Sequence, residues 1–279
     1  MKKLWIGLTL LFVVTLSACD TDPLENGNDN NDDNGDTVTV TFLDYDDSEI
    51  DSVEIDHGED APEPESPARP WHVFDGWDAS LETITEDTTI YATYLSLDDM
   101  HPVDAAKYTA NEVDSVRENT RIYLNDVFEQ ENTFSIDGTD FAFISENQDG
   151  TRSEAVFHDD GEDYWEKEYI EETECYDVRS IGTLEYYELM QTHHFNYMVP
   201  EALESAWFSE ENGDYVLESE YYDEIVDQAQ AELVEYRVHV SEETINIIIE
   251  LDGGSQVTTY DITYDNVGDN TVNTDVESC

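Results

Sequence analysis

Three Asp-Gly steps constrain this chain more than any other feature: Asp137-Gly138, Asp149-Gly150 and Asp160-Gly161 each separate runs in which apolar and polar side chains alternate. Such a pair supplies the left-handed backbone of a tight hairpin, and spacing of about a dozen residues leaves room for one strand between turns. Strands are therefore expected over residues 133–145, 153–159, 164–171 and 175–190, a short one over 215–218, and three more over 234–240, 244–251 and 257–267. Helices are expected in three places. Over residues 105–129, Val113, Val116, Tyr123, Leu124, Val127 and Phe128 recur at three- and four-residue steps, the spacing of one helix face. Residues 200–208 open on Pro200, a residue suited to a first helical turn, and residues 222–233 form the third. Helix first, then meandering strands and late helices, predicts an α+β class for residues 104–279: an open, curved antiparallel sheet with helices packed on its concave side.

The first residues are of another kind. Lys2 and Lys3 precede an apolar run over 4–15 that is too short to span a bilayer, and Ser17-Ala18 makes a small-residue exit. Leu16-Ser17-Ala18-Cys19 resembles the lipobox of bacterial lipoproteins. The resemblance implies a signal peptide over 1–18, cleavage between Ala18 and Cys19, and diacylation of the Cys19 thiol. At about 0.8 kcal/mol per buried CH₂, two or three acyl chains hold a protein to the extracytoplasmic face of the cell membrane. The alternative is an ordinary secretory signal with an unmodified cysteine.

Charge narrows the partners. The chain has 70 Asp and Glu against 10 Lys and Arg, a formal charge of −60 that grows when Lys2 and Lys3 leave with the leader. Nucleic acids and anionic headgroups need a basic face, so they are excluded as partners. Acids spread through regular elements repel one another unless salt screens them, which happens within about 3 Å at 1 M. The expected consequence is a melting temperature that rises with NaCl; a protein most stable in low salt would contradict it. With Cys19 lipidated, Cys175 and Cys279 remain as an even pair in an exported chain, where disulfides persist, and a bond between them is expected. Two free thiols are the alternative.

Residues 19–36 are rich in Asn, Asp and Gly and poor in apolar side chains, the composition of a mobile acidic spacer. Asn30, Asp32 and Asn34 before Gly35 imitate the start of a calcium loop, but its twelfth position should be a bidentate Glu and is Thr41, so no metal site is expected there. At residue 37 strong alternation begins. Val38, Val40 and Phe42 alternate with Thr39 and Thr41, residues 44–48 read as a turn, and Ile50, Val53 and Ile55 mark the returning strand. Pro62, Pro64, Pro67 and Pro70 forbid a ladder strand and favour an extended connection.

Several of these residues carry a family likeness. Val38-Thr39-Val40-Thr41-Phe42, Asp44-Tyr45-Asp46, His57-Gly58, Pro67-Ala68-Arg69-Pro70, Phe74-Asp75-Gly76-Trp77 and a closing strand over 85–94 resemble the Listeria-Bacteroides repeat, the B-repeat module of internalin-type surface proteins. This chain has Trp71-His72 where the family usually has Gly-Tyr ahead of the Phe. The resemblance implies a small β-grasp-like unit over 37–96, a stalk or adhesion role, and no catalytic site. Residues 97–103, with His101-Pro102, read as a joint to the larger domain. The order of elements over 104–279 is similar to the half-barrel lipoproteins of the LolA and LppX type, which implies acyl chains held between sheet and helices.

Candidate chemistry is sparse. His193-His194 could be examined as metal ligands, but adjacent side chains diverge on a strand or a helix, so no metal is expected. Asp159-Asp160, Glu171-Glu172, Glu210-Glu211 and Glu242-Glu243 are the acid pairs open to a hydrolase, whose two carboxyls must converge across a cleft. In so acidic a chain such pairs arise without selection for catalysis, and a solvated face is by far the safer reading. No nucleophile elbow, phosphate loop or dinucleotide fingerprint occurs. Aromatics gather in the larger domain, among them Tyr164, Trp165, Tyr186, Trp207, Phe208 and Tyr222, and serve either as core or as the lining of an apolar or sugar groove. The function expected is non-enzymatic: a lipid-anchored surface protein without cofactor, adhering to a surface protein or glycan or holding an apolar ligand. An extracellular hydrolase with a carboxylate pair is the alternative.

Overall fold

A computed structural model describes residues 36–193, 198–225, 231–241 and 243–279. The leader, Ala18, Cys19, the calcium-like stretch from Asn30 to Gly35, His194 and Glu242 lie outside the described residues. Thr37–Cys279 forms one unit built on two sheets.

The first sheet joins β1 (Thr37–Leu43), β2 (Glu49–Asp56), β3 (His72–Trp77) and β4 (Thr88–Ser96) in the order β2-β1-β4-β3. Its central pair, β1 and β4, is parallel and the flanking pairs are antiparallel. Val38, Val40 and Phe42 share one face by strand alternation and form a core with Ile84 and Ile90. Trp77 packs against it, its ring edge-on to Phe42 at 4.9 Å. A bulge between Phe74 and Gly76 turns that end of β3, and Gly76 takes the left-handed φ of 96° that the bulge requires.

Beyond Leu97 the chain enters α1 (Pro102–Asn111). His101 caps it, its Nδ1 accepting the Val103 N–H at 3.3 Å, and Pro102 fills the first position, where no N–H is needed. The helix ends at Asn111, and the expected helix over 105–129 is corrected here. Most of that stretch is a hairpin of β5 (Ser115–Leu124) and β6 (Val127–Asp137), turned by Asn125 and Asp126 at φ 49° and 66°. Two consecutive left-handed residues close a two-residue hairpin, and Asn and Asp tolerate that conformation better than other side chains.

The meander continues through β7 (Asp140–Asn147), β8 (Arg152–Asp159), β9 (Tyr164–Ile170) and β10 (Cys175–Ile181). The strand expected over 175–190 stops at Ile181. Gly182 breaks it, its carbonyl accepting the Tyr186 N–H at 3.0 Å as α2 (Thr183–His193) begins. The helix expected over 200–208 is a single 3₁₀ turn at Ser205–Trp207, followed by β11 (Phe208–Glu211) and β12 (Asp214–Leu217). The helix expected over 222–233 begins as the one-turn α3 (Tyr222–Ile225), and by Glu232 the chain is extended in β13 (Glu232–Ser241); residues 226–230 between them lie outside the described residues. The last strands are β14 (Thr244–Asp252) and β15 (Val257–Asp265).

All eleven later strands join one antiparallel sheet, in the order β10-β9-β8-β7-β6-β5-β15-β14-β13-β12-β11. The α+β class, a curved sheet with packed helices, is therefore also corrected: the described residues hold fifteen strands and three short α-helices, a mostly-β protein.

One face of the large sheet carries the main core. Val116, Ile136, Phe141 and Phe157 stand in register on β5 to β8, while Thr120, Ile262, Ile247 and Val238 continue the row through β13. Phe141 and Phe157 stack at 4.2 Å, and Tyr186 of α2 meets Phe141 at 5.3 Å. Burying each such side chain is worth about 1.5–3 kcal/mol. From α1, Val103, Ala105, Ala106 and Ala110 join the same core. The two sheets meet at Trp71, which is 4% exposed in this core and whose N–H donates to Val267 at 2.9 Å.

Candidate functional site

Because side chains alternate, the residues between those core positions face the other way, and over β5, β6 and β15 that face is open and polar. On β5 the outward residues are Arg117, Asn119 and Arg121; opposite them stand Ser135, Thr133 and Glu131 on β6, and Asp265, Thr263 and Asp261 on β15. Three adjacent strands thus present a grid of polar groups in register.

The grid is tied together before any ligand arrives. Arg117 grips Asp265 with two bonds, Nε to Oδ1 at 2.6 Å and Nη2 to Oδ2 at 3.0 Å. Arg121 Nε donates to Glu131 at 3.0 Å, the Thr133 hydroxyl donates to Asn119 Oδ1 at 2.9 Å, and Asn246 Nδ2 of β14 donates to Asp261 at 2.6 Å. The Asp265 carboxylate raises the Arg117 pKa further above its ordinary value, so that guanidinium stays charged. Side chains of Arg117 and Arg121 remain 42% and 52% exposed, leaving donors for a second partner.

A cleft of about 300 Å³ lies over this grid. A second cleft of about 300 Å³ shares Arg117 and Asp265 with it and adds Thr244, Glu243, Asp269 and the backbone region around Pro70 and Val267. The two clefts adjoin at Arg117 and Asp265 and together make up a trough, whose second part reaches Pro70 and Trp71 at the joint with the smaller sheet.

The sequence-named candidates lie elsewhere. Cys175 and Cys279 stand at disulfide distance, 1.95 Å between sulfurs, at the start of β10. His193 ends α2, and its neighbour His194 lies outside the described residues. Asp160 is occupied as a turn cap: its carboxylate accepts the N–H groups of Glu162 and Asp163 and the Trp165 indole N–H, bonds that hold its pKa below the ordinary carboxylate value. Glu171 and Glu172 lie on the turn between β9 and β10, and Glu210 and Glu211 are exposed on β11. Of the named aromatics, Tyr186 and Phe208 are buried in the core, Tyr164, Trp207 and Tyr222 pack against it, and Trp165 stands half-buried on β9.

Sequence reasoning missed the grid. The signal is two period-two runs, Arg117-x-Asn119-x-Arg121 and Asp261-x-Thr263-x-Asp265, but the first lies inside the stretch whose three- and four-residue spacing predicts a helix.

Comparison with known proteins adds no relative: no protein-family model, curated protein or solved structure matches the chain.

Proposed function

We propose that this chain is a lipid-anchored, non-enzymatic binding protein of the bacterial surface that grips a polar partner with the open face of its eleven-stranded sheet. The lipobox-like Leu16-Ser17-Ala18-Cys19 supports the anchor, and the repeat-like residues 37–96 support a stalk that carries the large sheet outward. The observation that carries the reading is the contrast between the two sheet faces. One is filled by the chain's own Phe134, Phe141, Phe157, Tyr186, Tyr236 and Tyr264, each at most 1% exposed. The other holds a pre-bonded polar grid under an open trough. A surface whose side chains are already ordered loses less entropy on binding, so it is suited to recognition. Support for an apolar ligand inside the fold is correspondingly weaker.

The test uses the full lipidated protein, immobilised and exposed to fractionated polysaccharide and protein from the cell envelope of its host. Wild-type protein retains one fraction, and the double variant Asn119→Ala, Arg121→Ala retains it at least tenfold more weakly. Equal retention by both would place binding elsewhere, and hydrolysis of the retained material would replace the reading with the enzymatic one.

A further inference from the structure

The geometry points to the class of partner: we infer that the trough takes a saccharide free of acidic groups. This rests on the binding reading of the open face and sharpens it.

The first ground is what lines the central cleft. Arg117, Asn119, Arg121 and Glu131 on one side and Asp261, Thr263 and Asp265 on the other are all polar. Protein partners draw most of their affinity from aromatic and aliphatic anchors that seat in desolvated pockets, and such a lining offers none. A sugar needs the reverse. Each hydroxyl both donates and accepts, so it suits a surface where guanidinium and amide donors alternate with carboxylate and hydroxyl acceptors.

The second ground is order. Arg117, Asn119 and Asp261 are each held by a neighbour on the next strand, at 2.6 Å, 2.9 Å and 2.6 Å respectively. Arg and carboxylate pairs fixed in this way keep unused lone pairs and N–H groups directed along the face, and strands about 4.8 Å apart repeat them at intervals that an extended oligosaccharide can follow.

Charge then selects among saccharides. Two guanidiniums meet three carboxylates in the central cleft, and Glu243 and Asp269 extend the acidic lining of the trough. A uronate, sialylated or phosphate-bearing glycan would bring like charge against these carboxylates in a chain whose formal charge is already −60.

The experiment probes the full-length protein on an array of neutral hexose and N-acetylhexosamine oligosaccharides beside uronate-containing and sialylated ones of equal length. Binding is expected to non-acidic glycans alone. Asn119→Ala and Thr263→Val each leave net charge unchanged, and each is expected to weaken that binding at least tenfold. Asp47→Asn, an exposed position beside the smaller sheet, should change nothing. Binding to acidic glycans, or to envelope protein, that is lost in the Asn119 and Thr263 variants would overturn the saccharide class while leaving the open face as the binding surface. Failure of every neutral glycan to bind, or binding that both variants retain, also overturns the inference; if envelope material is likewise retained by the Asn119→Ala, Arg121→Ala protein, the binding reading falls with it.

Discussion

Gly268 shows how narrowly one position can be specified. The chain leaves β15 there in a left-handed conformation, φ 75°, and the Gly268 N–H donates to Ser115 at 2.6 Å. A Cβ at this point would stand 3.1 Å from Pro70 Cα, which is backbone and cannot swing aside. Gly268→Ala should therefore cost about 1–3 kcal/mol from dihedral strain and crowding, read as a lower urea midpoint at unchanged slope. A wild-type midpoint would show that the joint yields freely. Tyrosines set the alkaline limit. Burial, then the bond to Glu154, lifts the Tyr176 phenol to about 12, and burial pushes Tyr186, Tyr236 and Tyr264 upward as well. Above the ordinary value of 10.0 the unfolded chain releases these protons while the folded one retains them, so folding stability declines as pH rises from there through the raised values. Below that range these phenols are neutral in both states and add no pH dependence. Denaturant midpoints at successive alkaline pH values should fall together with delayed phenolate absorbance; one phenolate wave at the ordinary value with an intact fold would contradict this.

The last fourteen residues act as an element of their own. After β15 the chain runs across the sheet toward β10, along the face opposite the core: Asn270 bonds to Ser115 and, through Nδ2 at 2.8 Å, to Ile136, while Lys167 of β9 donates to the Thr274 carbonyl. It then pairs with the edge strand, where Tyr176 N–H donates to Glu277 and Cys279 N–H donates to Tyr176, both at 2.9 Å. Val156 on β8 points to this face and is nonetheless 3% exposed, in keeping with a segment that passes over β7 and β8 between its anchors. The Cys175–Cys279 link spans 104 residues, and on the chain-entropy model a loop of that length is worth about 4–5 kcal/mol. Cys279→Ser, or reduction, should lower stability by about that much and speed amide exchange over 271–279 and at Tyr176. Unchanged exchange would mean that the hydrogen bonds hold the segment unaided. At this same scale the sequence was legible wherever inward positions were apolar, as in β1 with Val38, Val40 and Phe42 or β14 with Ile245, Ile247 and Ile249. It was illegible in β5. The inward residues there read Val116, Glu118, Thr120, with Glu118 and Thr120 fully buried, so polar side chains hid the period of two and scattered apolar ones imitated a helix. Asn125-Asp126, a hairpin signal inside the supposed helix, was the corrective. The open-face grid vanished with that misreading, because a helix would have set Asn119 on the side opposite Arg117 and Arg121 instead of aligning all three.

For the molecule as a whole, the division of labour between faces follows from the same alternation. Strands of the large sheet spend one side on the shared core; on β5 and β15 the other side is left open, whereas over β8 and β9 the C-terminal segment crosses it, and Trp71 with Leu97 ties the smaller sheet into the core. A protein that held its ligand between sheet and helices would instead need space where the aromatic side chains now stack. The most direct measurement is hydrogen–deuterium exchange of the full-length protein with and without a saturating neutral glycan selected on the array. Protection confined to β5 and β15, with the segments around α2 and the 3₁₀ turn at Ser205–Trp207 unchanged, is the predicted footprint. Protection of α2 and that turn, with β5 and β15 exchanging as before, would put the ligand behind the sheet and contradict the account.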